Sequence, residues 1–248
     1  MEAVVIIPAR YGSERLPGKP LAPIAGKPMI QHVWERSRRA RLVQRVLVAT
    51  DDARIRDAVE AFGGEAVMTP AELRSGSDRI AYVARDLPGC DLVVNVQGDE
   101  PLIEPSVIDD AIEPLRGDAS IVMSTLVREI ARAEELHNPA VPKVALDRDG
   151  FCLLFSRTAI PHLRDVPPAD WHRHHRYYAH IGLYVYRREF LLQYAQMTST
   201  PLERAEKLEQ LRVLEHGHRI RAVVTTHRSV PVDTPEDLER VRTMMSSA

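Results

Sequence analysis

The chain has 248 residues, with 33 Lys and Arg against 35 Asp and Glu and a formal net charge of −2. That balance argues against a nucleic-acid partner, which demands a basic face, and the length predicts one domain over residues 1–248 with at most a modest appendage. The two cysteines, Cys90 and Cys152, fit no zinc or redox spacing and read as reduced thiols. No apolar run approaches the ~20 residues of a membrane helix, and the first residues already read as strand, so a soluble cytoplasmic protein without leader or membrane insertion is expected.

Strand-like apolar runs alternate with helical patterns through the first half. Val4–Ile7 predicts a buried strand and Met29–Ala40 a helix. Arg45–Thr50 is a second strand, ending at Asp51-Asp52, with a helix over Ala53–Phe62. Ala66–Met68 predicts a short strand, Asp78–Asp86 a helix, Asp91–Val96 a strand, Pro105–Leu115 a helix and Ala119–Val127 a strand. This alternation predicts an α/β fold, a mainly parallel sheet with helices on both faces.

From about Asn138 the rhythm changes. Val144–Leu146, Cys152–Phe155 and Ile181–Tyr186 read as strands, and Arg164–Tyr178 as an irregular polar excursion. Residues 138–197 therefore predict a smaller β-rich part within the domain. Pro201–Glu215 predicts one helix stopped by Gly217, Ala222–Val224 a strand, and Thr234–Met245 a closing helix with Pro at its first position.

The segment Ala9-Arg10-Tyr11-Gly12-Ser13-Glu14-Arg15-Leu16-Pro17-Gly18-Lys19-Pro20 follows the first strand. It is longer than the 2–6 residues usual between strand and helix, and it lies at a strand's carboxyl end, where open α/β sheets bind ligands. Its cations Arg10, Arg15 and Lys19 and its glycines suit a polyphosphate. It is not a Walker loop, since five residues separate the glycines and Pro20 follows Lys19. G-x-G-x-x-G spacing is absent as well. Asp99, after Leu92–Val96, and Asp233, before the last helix, are acids of the type that holds magnesium. Each has a plainer reading, as a turn residue and a helix-boundary acid. Arg74-Ser75-Gly76-Ser77-Asp78 is a second Gly-containing turn, in which Ser75 or Ser77 could simply cap a helix. His172-Arg173-His174-His175 reads as a solvated face, not a metal site.

The run RYGSERLPGKPL resembles the sugar-nucleotide cytidylyltransferases, specifically the 3-deoxy-manno-octulosonate cytidylyltransferase (CMP-Kdo synthetase) family. VNVQGDEP, FSRTAIP, HIGLYVYRREFL, PLERAEKLEQLRVLEHG and VDTPEDLERV extend the resemblance over essentially the whole chain. It implies that CTP and the acidic keto-sugar Kdo give CMP-Kdo and pyrophosphate, for lipopolysaccharide biosynthesis. It implies Lys19, Arg10, Asp99 and Asp233 as catalytic residues, with Mg2+ held by the two acids. Ala9, Arg10, Ser13, Arg15, Lys19, Arg74, Ser75, Gly76 and Gln97 would surround the nucleotide, Gln97 reading the cytosine edge with an amide that both donates and accepts. Arg157, His180, Tyr184, Glu209 and Gln210 match positions around the sugar. Glu209 and Gln210, adjacent on one predicted helix, cannot share a face. Glu100 points elsewhere on this reading, and Glu14 and Leu73 depart from the family pattern. The β-rich part would serve a homodimer. A sialic-acid cytidylyltransferase and a catalytically inactive nucleotide-binding module are the alternatives.

Overall fold

The computed structural model describes residues 1–12, 15–73 and 75–246. It opens with β1 (Ala3–Ala9), where Val4 to Ile7 are at most 2% exposed, as in a strand covered on both faces. A 3₁₀ turn at Lys19–Leu21 and a hairpin of β2 (Pro23–Ile24) and β3 (Lys27–Pro28) lead into α1 (Met29–Ser37). There follow β4 (Val43–Thr50), α2 (Ala53–Ala61), β5 (Glu65–Met68), α3 (Gly76–Arg85), β6 (Leu92–Asn95), α4 (Pro105–Gly117) and β7 (Met123–Glu129). Next are α5 (Ala133–Leu136), β8 (Lys143–Leu146), β9 (Cys152–Ser156), α6 (Trp171–His174), β10 (Tyr178–Arg187) and α7 (Arg188–Tyr194). The chain continues through α8 (Pro201–Glu206), α9 (Leu211–Glu215), β11 (Arg221–Val224) and α10 (Pro235–Ser246).

The main sheet runs β11-β7-β10-β6-β1-β4-β5, with β8 and β9 attached beside β10. β1 pairs in parallel with both β4 and β6, and β10 enters antiparallel between β6 and β7. Alternation along β1 feeds two cores: Val5 and Ile7 pack with α1 and α4 residues such as Val33 and Ile108, Val4 and Ile6 with Ile80 and Leu191 on the opposite face. The expected mainly parallel sheet between helices is therefore present.

From β1 the chain winds outward to β4 and β5, then returns to place β6 on the other side of β1. The carboxyl ends of β1 and β6 flank this reversal, where a doubly wound sheet opens a crevice. The turn after β6 presses close here, since a Cβ on Gly98 would lie 3.0 Å from the Pro8 carbonyl oxygen.

Three local expectations are corrected. The pattern predicts one helix over Pro201–Glu215, but the backbone breaks at Lys207, which is left-handed with φ 52°, so α8 and α9 are separated by Lys207–Gln210. The strand predicted over Ala119–Val127 begins only at Met123, because Asp118 accepts the Ser120 amide in a turn. The polar excursion contains the short helix α6, and its end, Tyr178, starts β10. Only the start of β10 pairs with β8, at Tyr178 and Ala179, while its later residues lie inside the main sheet.

Candidate functional site

Where the segments after β1 and β6 meet the start of α10, one ammonium and two carboxylates converge. Lys19 Nζ donates to Asp99 Oδ2 at 2.7 Å and to Asp233 Oδ1 at 3.1 Å, with Arg15 3.2 Å from Asp233. Burial alone would pull the Lys19 ammonium down, yet the two carboxylates hold it above its ordinary value. Backbone bonds fix the arrangement. Val232 N donates to Asp99 O at 2.9 Å, and Asp237 Oδ2 accepts the Asp233 and Thr234 amides at the start of α10. Arg10 reaches across to the Leu73 carbonyl at 2.5 Å. Together Ala9, Arg10, Arg15, Lys19, Gln97, Asp99 and Asp233 line a cavity of about 340 Å³.

A second cavity, of about 460 Å³, shares Gln97 and Asp99 with the first. Its wall comes from α3 (Gly76, Ser77), β10 (His180, Tyr184) and the Lys207–Gln210 break. With the break at Lys207, both Glu209 and Gln210 lie on this wall, whereas a continuous helix would set them about 100° apart. The Glu209 carboxylate accepts from Ser77 Oγ at 2.8 Å, and the Gln210 Nε2 is buried without a partner among the described residues. Such a donor needs an acceptor to offset its lost hydration, and a polar ligand in the cavity would supply one. Burial pushes the His180 imidazole down to about 3, so it is neutral at physiological pH, with Nε2 2.9 Å from Thr125 Oγ1. Burial holds the Tyr184 phenol far above its usual range, protonated.

The sequence profile of the family described as Cytidylyltransferase matches residues 4–220. The chain belongs to the cytidylyltransferase family. Among similar proteins, the 3-deoxy-manno-octulosonate cytidylyltransferase of Geotalea uraniireducens is 54% identical over 97% of this chain and 98% of its own length. That of Geobacter metallireducens is also 54% identical, over 97% of this chain and 96% of its own. A solved structure of CMP:2-keto-3-deoxy-manno-octonic acid synthetase complexed with CTP superimposes with a TM-score of 0.93 at 43% identity, covering 100% of this chain and 99% of that one.

In this cytidylyltransferase the loop cations, both acids and Gln97 lie together, as do His180, Tyr184, Glu209 and Gln210. Ser13, Glu14 and Arg74 lie outside the described residues. Ser75 caps α3, its hydroxyl accepting the Asp78 amide at 3.0 Å, so the plainer reading holds for that group. Arg157 is not on either cavity wall. Its Nε donates to Glu206 O at 2.7 Å and its Nη1 to Pro139 O at 3.0 Å, tying together the segments behind the larger cavity. Glu100, expected to point elsewhere, does line that cavity; burial pushes its carboxyl up to about 7, and one oxygen accepts from Ser229. Among the described residues no cluster of three metal-ligating side chains includes the histidines of 172–175. Sequence reasoning missed Arg128, Lys207 and Ser229. The left-handed break at Lys207 is invisible to periodicity, and Arg128 and Ser229 carry no local sequence signal.

Proposed function

We propose that this chain transfers the cytidylyl group of CTP to 3-deoxy-manno-octulosonate, releasing pyrophosphate. The observation that carries the reading is the meeting of the two cavities at Gln97 and Asp99, beside the Lys19–Asp99–Asp233 cluster. The smaller, cation-lined cavity suits a nucleoside triphosphate and the larger one a polyhydroxylated acid. The names and near-complete coverage of the relatives support the same pairing.

Catalysis on this reading rests on positioning and charge neutralisation. The sugar's anomeric hydroxyl attacks the α-phosphorus in line and gives up its proton to solvent. The new C–O–P linkage forms, and the bond from the α-phosphorus to the oxygen bridging to the β-phosphate breaks, releasing pyrophosphate. Lys19, Arg10 and Arg15 stabilise the charge that accumulates on the leaving pyrophosphate. Asp99 and Asp233 are hard oxygen donors already converging on one cation, which fits magnesium. Held there, the ion would supply Lewis-acid neutralisation of phosphate charge. Neutral His180 and protonated Tyr184 orient sugar hydroxyls without adding charge.

The reading includes a homodimer through the β8–β9 hairpin, where Leu153 is 61% exposed, and a cytoplasmic place of action, which the buried free thiols of Cys90 and Cys152 favour. No helix among the described residues is long and apolar enough to cross a membrane. Pyrophosphate release over a grid of CTP, UTP or ATP with Kdo or sialate tests the activity. Release with CTP and Kdo is expected. Release with sialate instead refutes the sugar assignment, and CTP binding without release refutes catalysis. Sedimentation at micromolar concentration tests the dimer.

A further inference from the structure

We propose that Arg128, at the end of β7, is the specificity-determining residue that binds the carboxylate of the acidic sugar. This rests on the function proposed above. The charge on the larger cavity wall frames the problem. Its charged residues, among those described, are Asp99, Glu100 and Glu209 against two cations, Arg128 and Lys207. An anionic substrate entering beside three acids needs a cation with fixed geometry.

Arg128 meets that need better than Lys207. Lys207 is exposed at the helix break and offers a compact ammonium on a flexible stem. The Arg128 side chain is 22% exposed and held from behind. Its Nη2 donates to Glu135 and its Nη1 contacts Glu129 O at 3.4 Å, while Nε makes no hydrogen bond among the described residues. Glu135, 14% exposed, lies on a separate recess of about 740 Å³ and not on the substrate cavity wall, whereas Arg128 borders both. Arg128 thus borders both the recess that holds Glu135 and the substrate cavity, with its guanidinium held by one carboxylate and its Nε left to donate to another. In register Arg128 pairs with Ala179, so it leaves the sheet on the face opposite His180, and it reaches the cavity wall from the end of β7. Arg157, which the resemblance places around the sugar, is engaged with the Glu206 and Pro139 carbonyls behind the wall.

The test compares Kdo with its C1 amide, which keeps the hydroxyls and loses the charge. KM for each is measured by pyrophosphate release, with CTP affinity measured separately. Wild-type protein should prefer the acid by about 10-fold or more, the scale of a charge-assisted bond. Arg128→Gln should bring that ratio to about one with CTP affinity unchanged. Arg128→Lys should retain part of it, and Arg157→Gln should keep the full ratio whatever its effect on turnover. A full ratio in Arg128→Gln, or its loss in Arg157→Gln, overturns the proposal. If Arg128→Gln does not fold, a full ratio in Arg128→Lys overturns it equally. Wild-type protein that turns over neither sugar refutes the underlying function and the proposal with it, a failure separate from any variant result.

Discussion

Replacing Gly98 by alanine puts a methyl group 3.0 Å from the Pro8 carbonyl oxygen and 3.6 Å from Ile30 Cδ1 and Ile7 Cγ2. The two apolar contacts are ordinary, but the first is tighter than the 3.4 Å at which normal contact begins, and its partner is backbone. Pro8 is paired in register with Ala49 on β4, so β1 cannot retreat. The turn must move instead, by a few tenths of an ångström, and Asp99 moves with it. That motion loosens the bond from Val232 N to Asp99 O and the 2.7 Å approach of Lys19 to Asp99. Overpacking of this kind costs about 1–3 kcal/mol, which in a chain of this size lowers the melting temperature by about 2–12 °C. A misplacement near 1 Å costs about 10² in rate, so a smaller shift at a catalytic acid should lower kcat about 10-fold. Steady-state pyrophosphate release and thermal melts are the assays. Gly117→Ala, with nothing within 4 Å of the added carbon, is the control and should leave kcat unchanged. Wild-type kcat and melting temperature in Gly98→Ala would refute the packing argument.

Asp99→Asn should lower turnover by about 10³-fold or more, and chelation should abolish it reversibly; full activity in either case removes Asp99 as a metal ligand. Lys19→Met opens the gap between the carboxylates at 2.7 and 3.1 Å and should raise Mn2+ affinity of the nucleotide-free protein about 10-fold by calorimetry, as turnover collapses. Weaker Mn2+ binding in that variant contradicts the shared cation position. Glu100 is 8% exposed and its carboxyl is raised by burial from 4.5 to about 7. Its folded form therefore binds the proton more tightly, so stability is greatest below about 4.5 and falls as pH rises through about 7, by roughly 3 kcal/mol at most. Glu100→Gln should flatten that fall, melting above wild type at pH 8 and close to it near pH 4.5; an unchanged pH slope in melts rejects the assignment.

The alternation of Val4–Ile7, Arg45–Thr50 and Asp91–Val96 with helical patterns was enough to predict a mainly parallel sheet, because side-chain period and burial on both faces are local properties. The loop cations and Asp99 were legible for a related reason. A strand's carboxyl end faces the ligand crevice whatever the rest of the fold does, so position sufficed for the cations and Asp99. Asp233, before the last helix, was joined to them only by the family resemblance. What the tertiary structure alone decided depends on partners distant in sequence. Lys19 meets Asp99 across 80 residues and Asp233 across 214. Ser77 meets Glu209 across 132. The helical pattern of Pro201–Glu215 continues through Lys207, yet the left-handed residue there turns Glu209 and Gln210 onto one wall. Arg157 and Arg128 are chemically alike and each lies at or near the end of a strand-like run. Only the Glu135 carboxylate that holds Arg128 and the carbonyls of Glu206 and Pro139 that hold Arg157 separate the one that borders the cavity from the one that braces it. Local periodicity specifies which face of an element is buried, whereas the direction of a charged side chain is set by which distant backbone or carboxylate it meets.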